Sequence, residues 1–153
     1  DLDRLANNVR LFEEFLIDEY RSGRLHLQLL PATKTLQVHG HCHQKAMNTV
    51  QPLLDVLKLI PQAQVQLIET SCCGMAGSFG YEQEHYEVSL QMAELALLPK
   101  IRSQSNAIVV ANGSSCRHQI QDGTEQKGLH IAQVLALHLP ESRLSRSFFT
   151  IQG

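Results

Sequence analysis

The residues best equipped for chemistry are four cysteines, Cys42, Cys72, Cys73 and Cys116, two of them adjacent and the others remote in sequence. Thiolates are the ligands of iron–sulfur clusters, which commonly take four. The four are therefore candidate ligands of one inorganic centre. An oxidised four-iron cubane with four thiolates is an anion, and loops running into helix N-termini offer it free amides and the positive end of a dipole. The turns Ser71-Cys72-Cys73-Gly74 and Ser114-Ser115-Cys116 are placed to do this. Glycines at 74, 77 and 80 would let the backbone approach the cluster closely. Lys45 and Arg117, each within three residues of a cysteine, could offset the remaining charge.

Other chemistry is open to the same residues. A cysteine can be a small buried apolar side chain, and Cys72-Cys73 could form a strained vicinal disulfide that acts as a redox switch. Zinc is the main rival, because a tetrahedral ion accepts mixed cysteine and histidine ligands and His39, His41, His43 and His118 surround the thiols. Its usual close-spaced ligand knuckles are replaced here by the irregular HxHCH, CC and CxH. His43 and His118 read as hydrogen-bond donors that tune the centre rather than as ligands, with Gly74 and Arg117 beside them. His26, His130 and His138 read as surface or helix-packing residues, and Glu69 and Glu82 as solvated or capping. Met75 and Phe79, in the glycine loop, could shield the cluster from water or dock another domain.

The elements that must position these side chains alternate between strand and helix. Leu5, Val9, Phe12, Leu16 and Tyr20 fall near helical spacing, which predicts an amphipathic helix over about 3–21, ended by Ser22-Gly23. A short strand with near-alternating pattern is expected at 35–39, then a helix from Gln44 to Ile60 that Pro52 should bend or restart. Strands follow at 65–68 and 107–111, the second apolar throughout as in a strand buried on both faces. Between them the spacing predicts a helix with Tyr81, Val88, Met92 and Leu95 on one face. A last helix covers about 129–139 and a polar tail 140–153, leaving the core at 34–139. The fold class is therefore α/β, a small mostly parallel sheet with helices on both faces. One cysteine segment follows each strand, so all four thiols come to the carboxyl edge, where open α/β sheets place their ligands.

Bulk properties narrow the function. A chain of 153 residues with 43% hydrophobic content makes a single domain. Net charge of −2 with no lysine or arginine run argues against a nucleic-acid partner. No apolar run approaches the roughly 20 residues that span a bilayer, and no leader pattern opens the chain. Too few cysteines for a disulfide scaffold, without an export signal, point to a reducing, cytoplasmic setting. The start at Asp1, directly on a helical pattern, leads to the expectation of a piece of a longer polypeptide. The one glycine series, G-x-x-G-x-x-G without a following lysine, matches neither the dinucleotide fingerprint nor the phosphate loop, so no FAD site is expected in this chain.

The segments HGHCHQKA (39–46), ETSCCGMAGSFGYE (69–82) and GSSCRHQI (113–120) resemble the cysteine-rich CCG domain of heterodisulfide reductase and related iron–sulfur subunits. Their wording is most similar to the C-terminal iron–sulfur part of bacterial FAD-linked oxidases of the D-lactate, glycolate and D-2-hydroxyglutarate dehydrogenase type. The resemblance runs from about residue 5 to 138. It implies that Cys42, Cys72, Cys73 and Cys116 hold a 4Fe-4S cluster, and that FAD and oxidation of a small D-2-hydroxy acid belong to a missing upstream part. This chain would then pass electrons from that flavin to a quinone or another carrier, in the cytoplasm or peripherally at the inner face of the membrane. The family pattern ends in C-x-x-C, and Gly113 stands where the first of those cysteines would be. Four thiols remain instead of five, which makes a single cubane the simpler expectation.

Overall fold

The structure is a computed structural model that describes residues 1–70 and 72–140. Ser71, and the polar tail expected beyond Pro140, lie outside the described residues. Three parallel strands, β1 (Leu36–His39), β2 (Val65–Leu67) and β3 (Ile108–Ala111), form a sheet in the order β2-β1-β3. The α/β class and parallel sheet expected from the sequence are what is found. Leu36 pairs with Val65 on one side and Ile108 on the other, and His39 with Ala111. Beyond β3, Leu129 adds a single parallel bridge to Val110.

Because β1 is the central strand, all four of its residues are buried. The near-alternation read at 35–39 does not make it a half-exposed strand. Strand parity instead divides it between two cores. Leu36 and Val38 join one core with α2 (Phe12–Arg21), α4 (Val50–Leu57) and α8 (Ile131–Leu137), represented by Ile17, Leu53, Val56 and Val134. Gln37 and His39 therefore face the other layer, made by α5 (Tyr86–Glu94), α6 (Leu97–Arg102) and α7 (Ser114–Gly123). There the Gln37 amide bonds the Lys100 carbonyl of α6 at 3.4 Å. The two core clusters, on opposite faces, match the expected helices on both sides.

Three expected helices are corrected. The single helix expected over 3–21 is two, α1 (Leu2–Ala6) and α2, with Leu5 and Val9 exposed. The break has a local cause: the Glu14 carboxylate reaches back to accept the Leu11 amide at 2.8 Å, which starts a new helix there. The helix expected from Gln44 to Ile60 divides into α3 (Cys42–Ala46) and α4 at Asn48, whose φ is +55°. Pro52 lies in the first turn of α4, where its missing amide costs nothing.

The third correction concerns α5. Tyr81, Val88, Met92 and Leu95 are exposed, and the helix buries Ser89 and Ala93 instead. Small residues face inward because the glycine loop packs directly on this helix. A Cβ at Gly74 would stand 2.0 Å from the Ser89 carbonyl oxygen. Gly74 is thus required to be glycine by its left-handed φ of +89° and its seat on α5.

Candidate metal centre

Each cysteine segment leaves the carboxyl end of its own strand. Cys42 is the first residue of α3, which follows β1, and Cys116 is the third of α7, which follows β3. Cys72 and Cys73 lie in the loop after β2. The three segments converge into two thiol pairs: Cys42 Sγ is 3.5 Å from Cys72 Sγ, and Cys73 Sγ is 3.3 Å from Cys116 Sγ. All four are free thiols. The adjacent Cys72 and Cys73 thus turn to different partners, which disfavours a vicinal disulfide between them. Cys73 and Cys116 are buried, while Cys42 and Cys72 are half-buried.

The surroundings favour negative sulfur at Cys73 and oppose it at Cys116 and Cys42. Contact with Cys116 holds the Cys73 thiol well below its usual range against the opposing effect of burial, helped by the neighbouring His39 ring and the Met75 amide. The same contact, then burial, then negative charge on the other three sulfurs push the Cys116 thiol up. On the outer side, burial and the bond to Cys72 raise Cys42, and the charge of Lys45 opposes the rise. The Gly74 amide donates to Cys72 Sγ at 3.3 Å, as a thiolate ligand needs.

His39 completes the inner group. Its ring is fully buried at the end of β1, and one of its nitrogens lies with Cys73 Sγ and Cys116 Sγ in a set whose atoms are all within 4.8 Å of one another. Sequence alone places His39 among several histidines near the thiols; the parity of β1 is what turns it inward. His41 caps α3, its Nδ1 accepting the His43 amide at 3.3 Å. Its ring also covers Gly113, where a Cβ would stand 2.5 Å from His41 Cδ2 and 2.9 Å from Cys116 Sγ. A side chain at 113 would displace that ring, so the absent fifth cysteine leaves no vacant slot.

The other residues named from the sequence are less central. His43 is exposed, edge-on to the His41 ring. Arg117 donates to the carbonyls of Ala111 and Asn112 at 3.0 and 2.7 Å, and His118 bonds the Tyr81 hydroxyl. Their hydrogen-bond partners are oxygens rather than the sulfurs. Lys45 bonds the Thr70 carbonyl, two residues before Cys72. Phe79 stacks on His85 at 4.2 Å, and Met75 is buried against Ser89. No sequence signal pointed to Glu13, a buried carboxylate that accepts from the side chains of Gln44 and Asn112 and ties α2 to the site loops. Beside them a cavity of about 350 Å³ opens between Phe12, His41, Met47, Gly113 and His130.

The donor set suits a thiophilic metal centre: four thiols from three loops, a backbone amide on one sulfur and a buried imidazole beside two of them. Among the described residues no helix is long and apolar enough to cross a membrane.

The known proteins to which the chain is similar are dehydrogenases. It is 27% identical over 132 residues to one of the subunits of the anaerobic glycerol-3-phosphate dehydrogenase of Escherichia coli, covering 86% of this chain and 33% of that protein. It is 34% identical over 79 residues to D-2-hydroxyglutarate dehydrogenase of Pseudomonas putida, covering 52% of this chain and 7% of that protein. With the Pantoea ananatis D-2-hydroxyglutarate dehydrogenase it shares 36% identity over 59 residues, 39% of this chain and 6% of the relative. The chain thus spans a third or less of the curated relatives it matches. No family model matches the chain, and neither does any solved structure. Homologous to parts of an anaerobic glycerol-3-phosphate dehydrogenase and of D-2-hydroxyglutarate dehydrogenases, the chain fits a CCG-type cysteine-rich domain of the FAD-linked oxidases.

Proposed function

We propose that this chain is the iron–sulfur electron-transfer domain of an FAD-dependent 2-hydroxy-acid dehydrogenase, with Cys42, Cys72, Cys73 and Cys116 as cluster ligands. The observation that carries the reading is the convergence of thiols from three loops into two contacting pairs at the carboxyl edge of the sheet. When bound, a 4Fe-4S cluster supplies a one-electron carrier between a reduced flavin and an acceptor. Each iron of a cubane takes one thiolate, so the cysteine side chains would rotate out of their pairs to hold it. The Gly74 amide donates to Cys72 Sγ, and the Lys45 charge opposes the upward push that burial gives Cys42. Burial of Cys73 and Cys116 under Met75, Ile68 and Ala93 keeps water from the inner side.

Cys42 and Cys72, only half-buried, mark the side at which electrons enter and leave. The flavin belongs to another part of the same polypeptide, upstream of this domain, and substrate oxidation occurs there. The cavity beside His41 and Gly113 has room for a ring-sized acceptor such as a quinone. The domain then works in the cytoplasm, in contact with the inner face of the membrane when the acceptor is a quinone.

Anaerobic purification followed by iron and acid-labile sulfide analysis, with Mössbauer spectroscopy, tests the proposal. Iron and sulfide in equal number, four of each per chain, are expected for the cubane. Two irons per chain would mean that each thiol pair chelates one iron and would overturn the cubane. Stoichiometric zinc without sulfide would defeat the electron-transfer reading in favour of a zinc-stabilised docking domain.

A further inference from the structure

We propose that the cavity beside the inner thiols binds the hydroquinone form of a quinone carrier, with Glu13 accepting a hydrogen bond from one of its hydroxyls. The inference rests on the electron-transfer reading for the choice of a quinone, and deepens it by naming the redox form and the residue that recognises it. The cavity, of about 350 Å³, takes a ring-sized headgroup. Its walls include Phe12, Met47 and the imidazoles of His41 and His130, and the Phe12 and His130 rings stand 6.2 Å apart. Gly113 belongs to the same wall, and a Cβ there would come within 2.9 Å of Cys116 Sγ, so an occupant lies next to the thiols.

Glu13 decides what that occupant must offer. It is the one buried carboxylate among the described residues, only 2% exposed, and it lines the cavity. Both hydrogen bonds it receives, from the side-chain amides of Gln44 and Asn112, fall on Oε1. Oε2 accepts none from any described residue, and a buried carboxylate oxygen without a donor is costly. No lysine or arginine lines the cavity, so an anion such as a hydroxy acid would meet this carboxylate unopposed. The imidazoles each use Nδ1 as an acceptor, His41 from the His43 amide at 3.3 Å and His130 from the Ala132 amide at 3.2 Å. Each ring is then neutral, with its proton on Nε2. Two N–H donors and one carboxylate oxygen in an aromatic cavity match a hydroxyl-bearing ring, whose O–H donates to Glu13 while its oxygens accept from imidazole. An ammonium would satisfy the carboxylate and oppose both N–H groups. A quinone has acceptors only and leaves Oε2 unmatched.

Anaerobic calorimetry on the full chain, freed of reductant, tests the site. The probes are durohydroquinone, duroquinone and durohydroquinone dimethyl ether, all methylated around the ring so that thiols do not add to it. A hydrogen bond to a carboxylate should make the diol bind at least about tenfold more tightly than the dione or the ether. Glu13→Gln gives the signature of the residue. The Gln44 and Asn112 amides are fixed in orientation, because their oxygens accept the His41 and Ile131 backbone amides at 3.0 and 3.2 Å. Their N–H groups therefore claim the oxygen of a glutamine at 13 and turn its amide N–H to the cavity, a donor where an acceptor stood. The dione should then bind as tightly as the diol or more so. Equal affinity of diol and dione for the unmodified chain, or a diol preference that survives in Glu13→Gln, would overturn the proposal. If Glu13→Gln does not fold, carbon-13 resonances of the glutamate carboxyls decide without a variant. The buried carboxyl should shift with the diol and not with the ether, and identical responses to both refute the site. Iron and sulfide content of the same preparation judges the cluster, so failure of the electron-transfer reading and failure of this site are told apart.

Discussion

Gly74→Ala will destabilise the chain far more than Gly77→Ala, although both glycines occupy the left-handed region, with φ of +89° and +72°. That conformation costs an L side chain about 1–2 kcal/mol, which is common to both substitutions. The new methyl at 77 meets nothing within 4 Å, whereas at 74 it would lie 2.0 Å from the Ser89 carbonyl oxygen and 2.9 Å from its carbon. These are backbone atoms of α5, which cannot swing aside as the end of a side chain does. Moving the loop or the helix adds about 1–3 kcal/mol, as overpacking of a core does. Gly74→Ala therefore loses about 2–5 kcal/mol and Gly77→Ala about 1–2. At roughly 2–4 °C per kcal/mol for a chain of this size, Tm falls by about 4–20 °C in the first and 2–8 °C in the second. Thermal unfolding of the reduced chain by circular dichroism measures both. Cobalt affinity gives a second readout, because Gly74 donates its amide to Cys72 Sγ and a displaced loop carries Cys72 and Cys73 with it. Equal losses in the two variants would refute the argument that the seat on α5, beyond the turn itself, requires glycine at 74.

Cys116→Ser should abolish the cluster or convert it to another type, and an unchanged visible spectrum in the anaerobically purified variant would show that Cys116 is not a ligand. Glu13→Ala leaves the buried amides of Gln44 and Asn112 without their acceptor. A loss of about 2–4 kcal/mol in urea unfolding is expected, and less than about 0.5 would show that water replaces the carboxylate. Burial, and then the Arg117 charge, hold the His130 imidazole below its ordinary range, with Glu13 opposing. The unfolded chain then binds the proton more readily, so stability present above about pH 6.5 declines as pH falls below it. The neutral Nδ1 also caps α8 by accepting the Ala132 amide at 3.2 Å, which protonation would abolish. His130→Asn keeps a capping side chain. It should flatten the pH dependence of Tm between about pH 5 and 7, and an unchanged slope would assign it to other groups.

The fold class was legible because strand and helix patterns alternate along the chain, and parallel crossovers then bring the segments after each strand to one edge. Cys42, Cys72-Cys73 and Cys116 could be assigned to a common rim on that ground alone. Which thiol meets which was not legible: adjacent side chains at 72 and 73 point apart, and only the packed loop pairs the first with Cys42 and the second with Cys116. Helix faces misled where packing overrode apolar spacing. Val88 and Met92 of α5 point outward because Gly74 brings a backbone against its Ser89 side. The opening pattern at Leu5 to Tyr20 hid a break made by one carboxylate at Glu14. His39 shows the division most clearly. The sequence supplied an imidazole two residues after Gln37 in a near-alternating strand. Burial on both faces of a central strand, and the arrival of Cys73 and Cys116 from segments far along the chain, set that imidazole beside two thiols. Local pattern is read over a few residues, whereas a site of this kind is made by non-local contacts that exist only once the sheet has closed.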